Sequence, residues 1–180
     1  LVATGTAGST IVGGGGNDVI YGAAGADSLV SGGAGNSTIV GGGGGDIIYG
    51  GLGNDSLVNG APDQGGTIQP GNVGISIYGG GGSDIIYGGL GNDSVVGGSQ
   101  PGQNGDTIVG GGGNDIIYGG LGGDSIVATG AGDNTIVGGG GNDIIYGAQG
   151  NDSIVGGTGD NTIVGGGGDD IIYGGQLADT

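Results

Sequence analysis

Along the chain, short apolar triplets return at regular intervals: Val19-Ile20-Tyr21, Ile47-Ile48-Tyr49, Ser56-Leu57-Val58 and Thr162-Ile163-Val164 each follow a stretch of about six small or polar residues. The repeating unit is a nonamer, as in Gly13 to Tyr21 (GGGGNDVIY), Gly50 to Val58 (GGLGNDSLV) and Gly156 to Val164 (GGTGDNTIV). Gly, Asn and Asp supply turn conformations, and Ile, Val and Tyr suit an extended strand, so each nonamer predicts a tight turn followed by a short strand. No stretch carries the three-to-four-residue apolar spacing of a helix. The expected fold is all-β: nonamers stacked into a parallel β-solenoid.

The nonamers come in three kinds in a fixed order, ending in IIY, SIV and TIV. The first kind begins at Gly13, Gly41, Gly79, Gly110, Gly138 and Gly165, with spacings of 28, 38, 31, 28 and 27 residues. The surplus residues all fall in the third kind. The two long insertions lie within 59–78 and 97–109 and hold every proline of the chain, Pro62, Pro70 and Pro101, as expected of loops leaving a regular stack. Residues 1–180 therefore read as a single repeat domain of six three-nonamer groups. Gly174 to Thr180 followed by Leu1-Val2 would make one more second-kind nonamer, which predicts a longer tandem array or a filament joined head to tail.

Composition changes the picture of what holds the stack together. Of 180 residues 60 are Gly, with no Phe, Trp, Met or Cys, and the 17 acidic residues meet no Lys, Arg or His, giving a net charge of −17. Ordering a residue's backbone costs roughly 1–2 kcal/mol, with Gly at the upper end, and a thin aliphatic core offsets only part of that. No internal salt bridge can form, so the carboxylates need cations from solution. The same charge excludes nucleic acid as a partner, and no apolar run approaches the length of a membrane span.

The acidic residues are in register. Aspartate occupies the sixth position of every first-kind and second-kind nonamer: Asp18, Asp27, Asp46, Asp55, Asp84, Asp93, Asp115, Asp124, Asp143, Asp152, Asp170 and Asp179. Calcium takes six to eight hard oxygen ligands, and glycine turns bring backbone carbonyls close to a short carboxylate. Coils stack about 4.8 Å apart, where two bare carboxylates repel by roughly 3.5 kcal/mol at an effective dielectric of about 20. The third kind departs from the pattern, with Ser9, Ser37, Asn134 and Asn161 at the sixth position and Asp106 alone conforming, which predicts no regular ion column there.

With GGxGxD repeated over nearly its whole length, the chain resembles the RTX (repeats-in-toxin) calcium-binding nonapeptide family. The resemblance implies a right-handed roll with several Ca2+ ions between successive coils, bound by the sixth-position carboxylates and the carbonyls of the glycine positions. RTX rolls have two nonamers per coil, which here would mix the three kinds in each turn column. Three nonamers per coil would keep each column uniform and gather the insertions at one corner. A three-sided coil is therefore the preferred expectation, with the two-sided roll as its alternative.

The family's inward eighth position places Ile20, Leu29, Ile39, Ile48, Leu57, Ile86, Val95, Ile117, Ile126, Ile145, Ile154 and Ile172 in the core. Positions seven and nine then face out. On a three-sided coil they form a ladder of Tyr21, Tyr49, Tyr87, Tyr118, Tyr146 and Tyr173, a surface for lateral contact, and on another face a row of Thr10, Thr38, Thr107, Thr135 and Thr162. Asn36, Asn54, Asn92 and Asn151 each begin an N-x-S/T sequence.

Catalysis is disfavoured, because only Asp, Ser, Thr and Tyr are present for acid, base or nucleophile work. The leading expectation is a calcium-stiffened structural solenoid outside a bacterial cell or on its surface: a filament, surface layer or adhesin stalk that associates with itself head to tail and also laterally. A calcium-triggered folding and secretion module of an RTX exoprotein is the alternative, and a threonine face that adsorbs ice or a crystalline polymer is a minor one.

Overall fold

The computed structural model describes residues 1–62, 68–69, 73–98 and 104–180. Successive strands alternate between two parallel sheets. The nine-stranded sheet holds Thr10–Val12, Ser28–Val30, Ile47–Gly51, Ser76–Gly80, Ser94–Gly98, Ile116–Leu121, Thr135–Gly140, Ser153–Thr158 and Ile171–Gln176. The eight-stranded sheet holds Val19–Tyr21, Thr38–Val40, Ser56–Val58, Ile85–Gly89, Thr107–Gly111, Ser125–Val127, Ile144–Gln149 and Thr162–Gly167. Each strand pairs in register with the one a full coil later, Ile136 opposite Ile154 and Ile145 opposite Ile163. Among the described residues there is no helix, and hence none long and apolar enough to cross a membrane.

The parallel β-solenoid is as expected, but its coil has two sides, and the three-sided cross-section is corrected. The cause lies in the turn. Glycine at the second position of most turns, and at the fourth position of many, takes positive φ, as in Gly111 at 116° and Gly113 at 110°, a region open to Gly and costly for residues with a Cβ. Such glycines let the chain turn back tightly, and each strand runs back over its predecessor instead of along a third side. The three kinds consequently mix in every column.

Several expectations change with the cross-section. The insertion within 59–78 joins the eight-stranded sheet to the nine-stranded one, whereas that within 97–109 makes the return crossing, so the two occupy opposite edges. In the first, Ala61–Pro62 pairs antiparallel with Ile68–Gln69; Pro70 and Pro101 lie outside the described residues. Tyr49, Tyr118 and Tyr173 fall on one sheet and Tyr21, Tyr87 and Tyr146 on the other, three coils apart on each, so the tyrosines form no single file. Thr10 and Thr135 are likewise separated from Thr38, Thr107 and Thr162, which leaves no single threonine face.

The core is a double row of eighth-position side chains. Ile20, Leu29, Ile39, Ile48, Leu57, Ile86, Val95, Ile117, Ile126, Ile145 and Ile154 are fully buried, joined by Ile77, Ile108 and Ile136 of the third kind. Each such burial contributes about 1.5–3 kcal/mol. Ile172 is 44% exposed, because its strand is the last of its sheet and no further coil covers it.

Candidate metal centre

The turns stack into two columns, one along each edge of the roll. The first edge leads into the nine-stranded sheet and carries, at the sixth position, Ser9, Asp27, Asp46, Ile75, Asp93, Asp115, Asn134, Asp152 and Asp170. The second edge leads into the eight-stranded sheet and carries Asp18, Ser37, Asp55, Asp84, Asp106, Asp124, Asp143, Asn161 and Asp179.

These side chains form hydrogen-bonded ladders. Asp106 Oδ1 accepts the N–H of Asp84 at 2.8 Å, Asp124 Oδ1 that of Asp106 at 2.7 Å, and Asp143 Oδ1 that of Asp124 at 2.8 Å. The same bond runs from Asp27 to Asp46 and from Asp93 to Asp115 on the first edge. Ser37, Asn134 and Asn161 accept in the same way from Asp18, Asp115 and Asp143, so a column of mixed residues keeps its bonding. The first edge breaks at Ile75, which offers no acceptor side chain.

The other carboxylate oxygen is the informative one. Oδ2 of Asp18, Asp46, Asp55, Asp84, Asp93, Asp115, Asp124, Asp143 and Asp152 is buried without any hydrogen-bond partner. Asp27 differs, its Oδ2 accepting the N–H of Ala23 at 2.8 Å. The asparagine rungs show what surrounds this position. Asn134 Nδ2 donates to Gly132 O at 2.9 Å, to Asp152 Oδ1 of the next coil at 2.9 Å and to Gly147 O at 3.4 Å. Asn161 Nδ2 likewise donates to Gly159 O and Gly174 O. An amide nitrogen thus sits among two carbonyls and the next coil's side chain. Where aspartate takes its place, oxygen faces oxygen with no proton between, an arrangement that costs several kcal/mol per ion unless a cation supplies the missing charge.

Burial shifts these groups. Desolvation pushes Asp84, Asp93 and Asp124 up to about 7 and Asp46 and Asp115 up to about 6, from an ordinary 3.8, against the lowering effect of the backbone N–H on Oδ1. Neighbouring carboxylates add to the rise, Asp55 and Asp106 acting on Asp84, and Asp106 and Asp143 on Asp124. Asp55, Asp106, Asp143 and Asp152 are raised by the same desolvation.

The donor set fits calcium, a hard ion that accepts carboxylate and carbonyl oxygen together. Among the described residues no three acidic side chains converge, so backbone carbonyls must supply much of the shell.

The structure also reveals two features that the sequence reading passed over. A Cβ placed on Gly50, at the first position of its turn, would lie 2.5 Å from Asp55 Oδ2 and 2.6 Å from Gly79 O. Wherever the first position is not glycine, the sixth is not aspartate: Ala3 with Ser9, Ser31 with Ser37, Asn59 with Ile75, and Ala128 with Asn134. Ser31 and Ser37 go further and hydrogen-bond to each other at 2.6 Å. Second, the fifth positions form an outer ladder of opposite polarity, Asn36 Oδ1 accepting from Asn54 N and Asn92 Oδ1 from Asn114 N. Asn54 and Asn151 act alike, so the four N-x-S/T asparagines all serve as rungs. Asp106, set aside with the third kind, stands in the middle of the second edge.

The family model for the RTX calcium-binding nonapeptide repeat matches residues 4–33, 29–57, 76–101, 102–126, 122–154 and 146–180. No curated protein and no solved structure matches the chain. The chain belongs to the RTX calcium-binding nonapeptide repeat family: it is a β-roll of calcium-binding repeats, a type of repeat typical of secreted bacterial exoproteins.

Proposed function

We propose that this roll is an extracellular structural scaffold, a filament, surface-layer or stalk element, in which calcium fastens each coil to the next through Asp18, Asp27, Asp46, Asp55, Asp84, Asp93, Asp106, Asp115, Asp124, Asp143, Asp152, Asp170 and Asp179. The observation that carries this reading is the file of buried, unpartnered Oδ2 atoms along the two edges of the roll. Calcium bound there adds attraction along the stack axis, where the metal-free chain has repulsion, and converts a marginal stack into a stiff rod. Rods of uniform cross-section add to one another end to end. Repetition suits length, and no His, Cys, Lys or Arg is available for chemistry.

Negative-stain microscopy with and without calcium tests the scaffold. Calcium-dependent rods or fibres support it. Single short particles at every concentration contradict it and favour a second reading, a secretion module that folds on reaching calcium outside the cell. The same buried carboxylates motivate that reading, because they oppose folding wherever calcium is scarce.

A further inference from the structure

We infer that the outer face of the nine-stranded sheet is a self-docking surface, on which a second copy of this chain packs about a two-fold axis lying along the strand Ile116–Leu121. The inference rests on the calcium reading in one respect: both edges of the roll must be neutralised before two such chains approach.

The outward positions of this sheet carry no charge, the acidic residues among those described lying in the turns. Its large apolar side chains gather in stripes at the third, sixth and ninth strands: Ile47 with Tyr49, Ile116 with Tyr118, and Ile171 with Tyr173. All six are exposed. Between the stripes lie Ser, Thr and Val, with one exception: Tyr78 on the fourth strand is also exposed and stacks on Tyr49 with ring centroids 4.9 Å apart, which widens the first stripe by one coil. A two-fold axis along the sixth strand exchanges the third and ninth and returns the sixth to itself. Tyr118 then meets Tyr118 of the second copy, and Tyr49 meets its Tyr173. The surface is thus complementary to itself, as a closed dimer requires.

The opposite face is not open in the same way, since Val40, at an outward position of the eight-stranded sheet, is covered to 4% exposure. The seven strands from the third to the ninth, about 4.8 Å apart and ten to twenty ångströms long, overlap about this axis and give roughly 350–700 Å² per copy, about 700–1,400 Å² in total, which at its upper end reaches the size of specific interfaces. Uncharged surface meets uncharged surface, and the Ile116–Tyr118 stripe at its centre carries an aromatic residue of the kind that anchors such contacts.

The test is sedimentation velocity of the calcium-loaded chain with circular dichroism alongside. A dimer is expected, weakened at least tenfold by Tyr118→Lys with the β signal unchanged. A short bis-maleimide should join Tyr118→Cys to itself and Tyr49→Cys to Tyr173→Cys, but not Tyr49→Cys to itself. A chain that gains β structure with calcium yet sediments as a monomer overturns the interface while leaving the calcium reading intact. Cross-linking of Tyr49→Cys to itself overturns the axis. Loss of the calcium response itself would count against the metal reading and is seen separately in the dichroism.

Discussion

The two edges of the roll share one backbone and differ in what their turns hold. On the second edge Asp55, Asp84, Asp106, Asp124 and Asp143 follow one another without a break, each accepting the N–H of the sixth residue one coil earlier. On the first edge the carboxylates come in pairs, Asp27 with Asp46, Asp93 with Asp115 and Asp152 with Asp170, separated by Ile75 and Asn134. Asn134 completes its own hydrogen bonds, and Ile75 ends the ladder. The contrast shows that hydrogen bonding and charge are separable in this fold: the ladder needs only an acceptor at the sixth position, whereas the unpartnered oxygen that calls for a cation needs aspartate. On the calcium reading proposed above, the second edge offers a continuous run of aspartate sites and the first only separated pairs.

The largest effect should come from breaking the turn itself. Gly50→Ala drives a methyl into Asp55 Oδ2 and Gly79 O, and should cost about 3 kcal/mol or more in thermal or urea unfolding of the calcium-loaded chain. Adding Asp55→Asn should recover part of the loss, since Ala128 already coexists with Asn134 on the first edge. Failure of any recovery would show that backbone crowding, and not the carboxylate, fixes the glycine.

Next, Asp106→Asn should make the second edge resemble the first by splitting its run into Asp55–Asp84 and Asp124–Asp143. A calcium titration followed by dichroism should lose steepness, and the metal-free chain should gain about 1 kcal/mol as a desolvated carboxylate gives way to a neutral amide that can donate. Asp115→Asn on the first edge should remove binding without changing steepness. Equal effects at the two positions would erase the distinction between the edges.

Acid should act in the same direction on the metal-free chain. The folded-state values of Asp84, Asp93 and Asp124, about 7, lie above the ordinary 3.8, so the folded state takes up protons that the unfolded state does not. That stabilisation is fully present below about pH 4 and is lost as the pH rises through about 7. Metal-free protein should therefore be more folded at pH 5 than at pH 8, as urea midpoints would show, while calcium affinity falls over the same descent because protons compete. The smallest change should be Asn114→Ala on the outer ladder, which removes an exposed hydrogen bond to Asp133 N at about 0.5–1 kcal/mol.

Much of this was legible in the chain. The nonamer, its strand triplet and the inward eighth position depend on local chemistry, and Ile48, Ile117 and Ile145 lie where the repeat puts them. The cross-section was not legible, because it depends on how sharply a turn reverses the chain, and the expectation of uniform columns favoured three sides. That same expectation set Asp106 apart from the aspartates it joins in space. The link between the first and sixth positions was present in Ala128 and Asn134, but its reason is a distance between a Cβ and a carboxylate oxygen, visible only once the turn is built. The outer asparagine ladder likewise needs coils in register before N-x-S/T sequences read as rungs.

The central claim is that cations hold the coils together at the sixth-position aspartates. Chelator-treated protein titrated with calcium, with magnesium as control, and followed by circular dichroism tests it most directly. The account predicts little β signal in chelator at neutral pH, a cooperative rise with calcium and none at equal magnesium. A full β signal that persists in chelator would contradict it and assign the stability of the roll to its aliphatic core and hydrogen-bonded ladders alone.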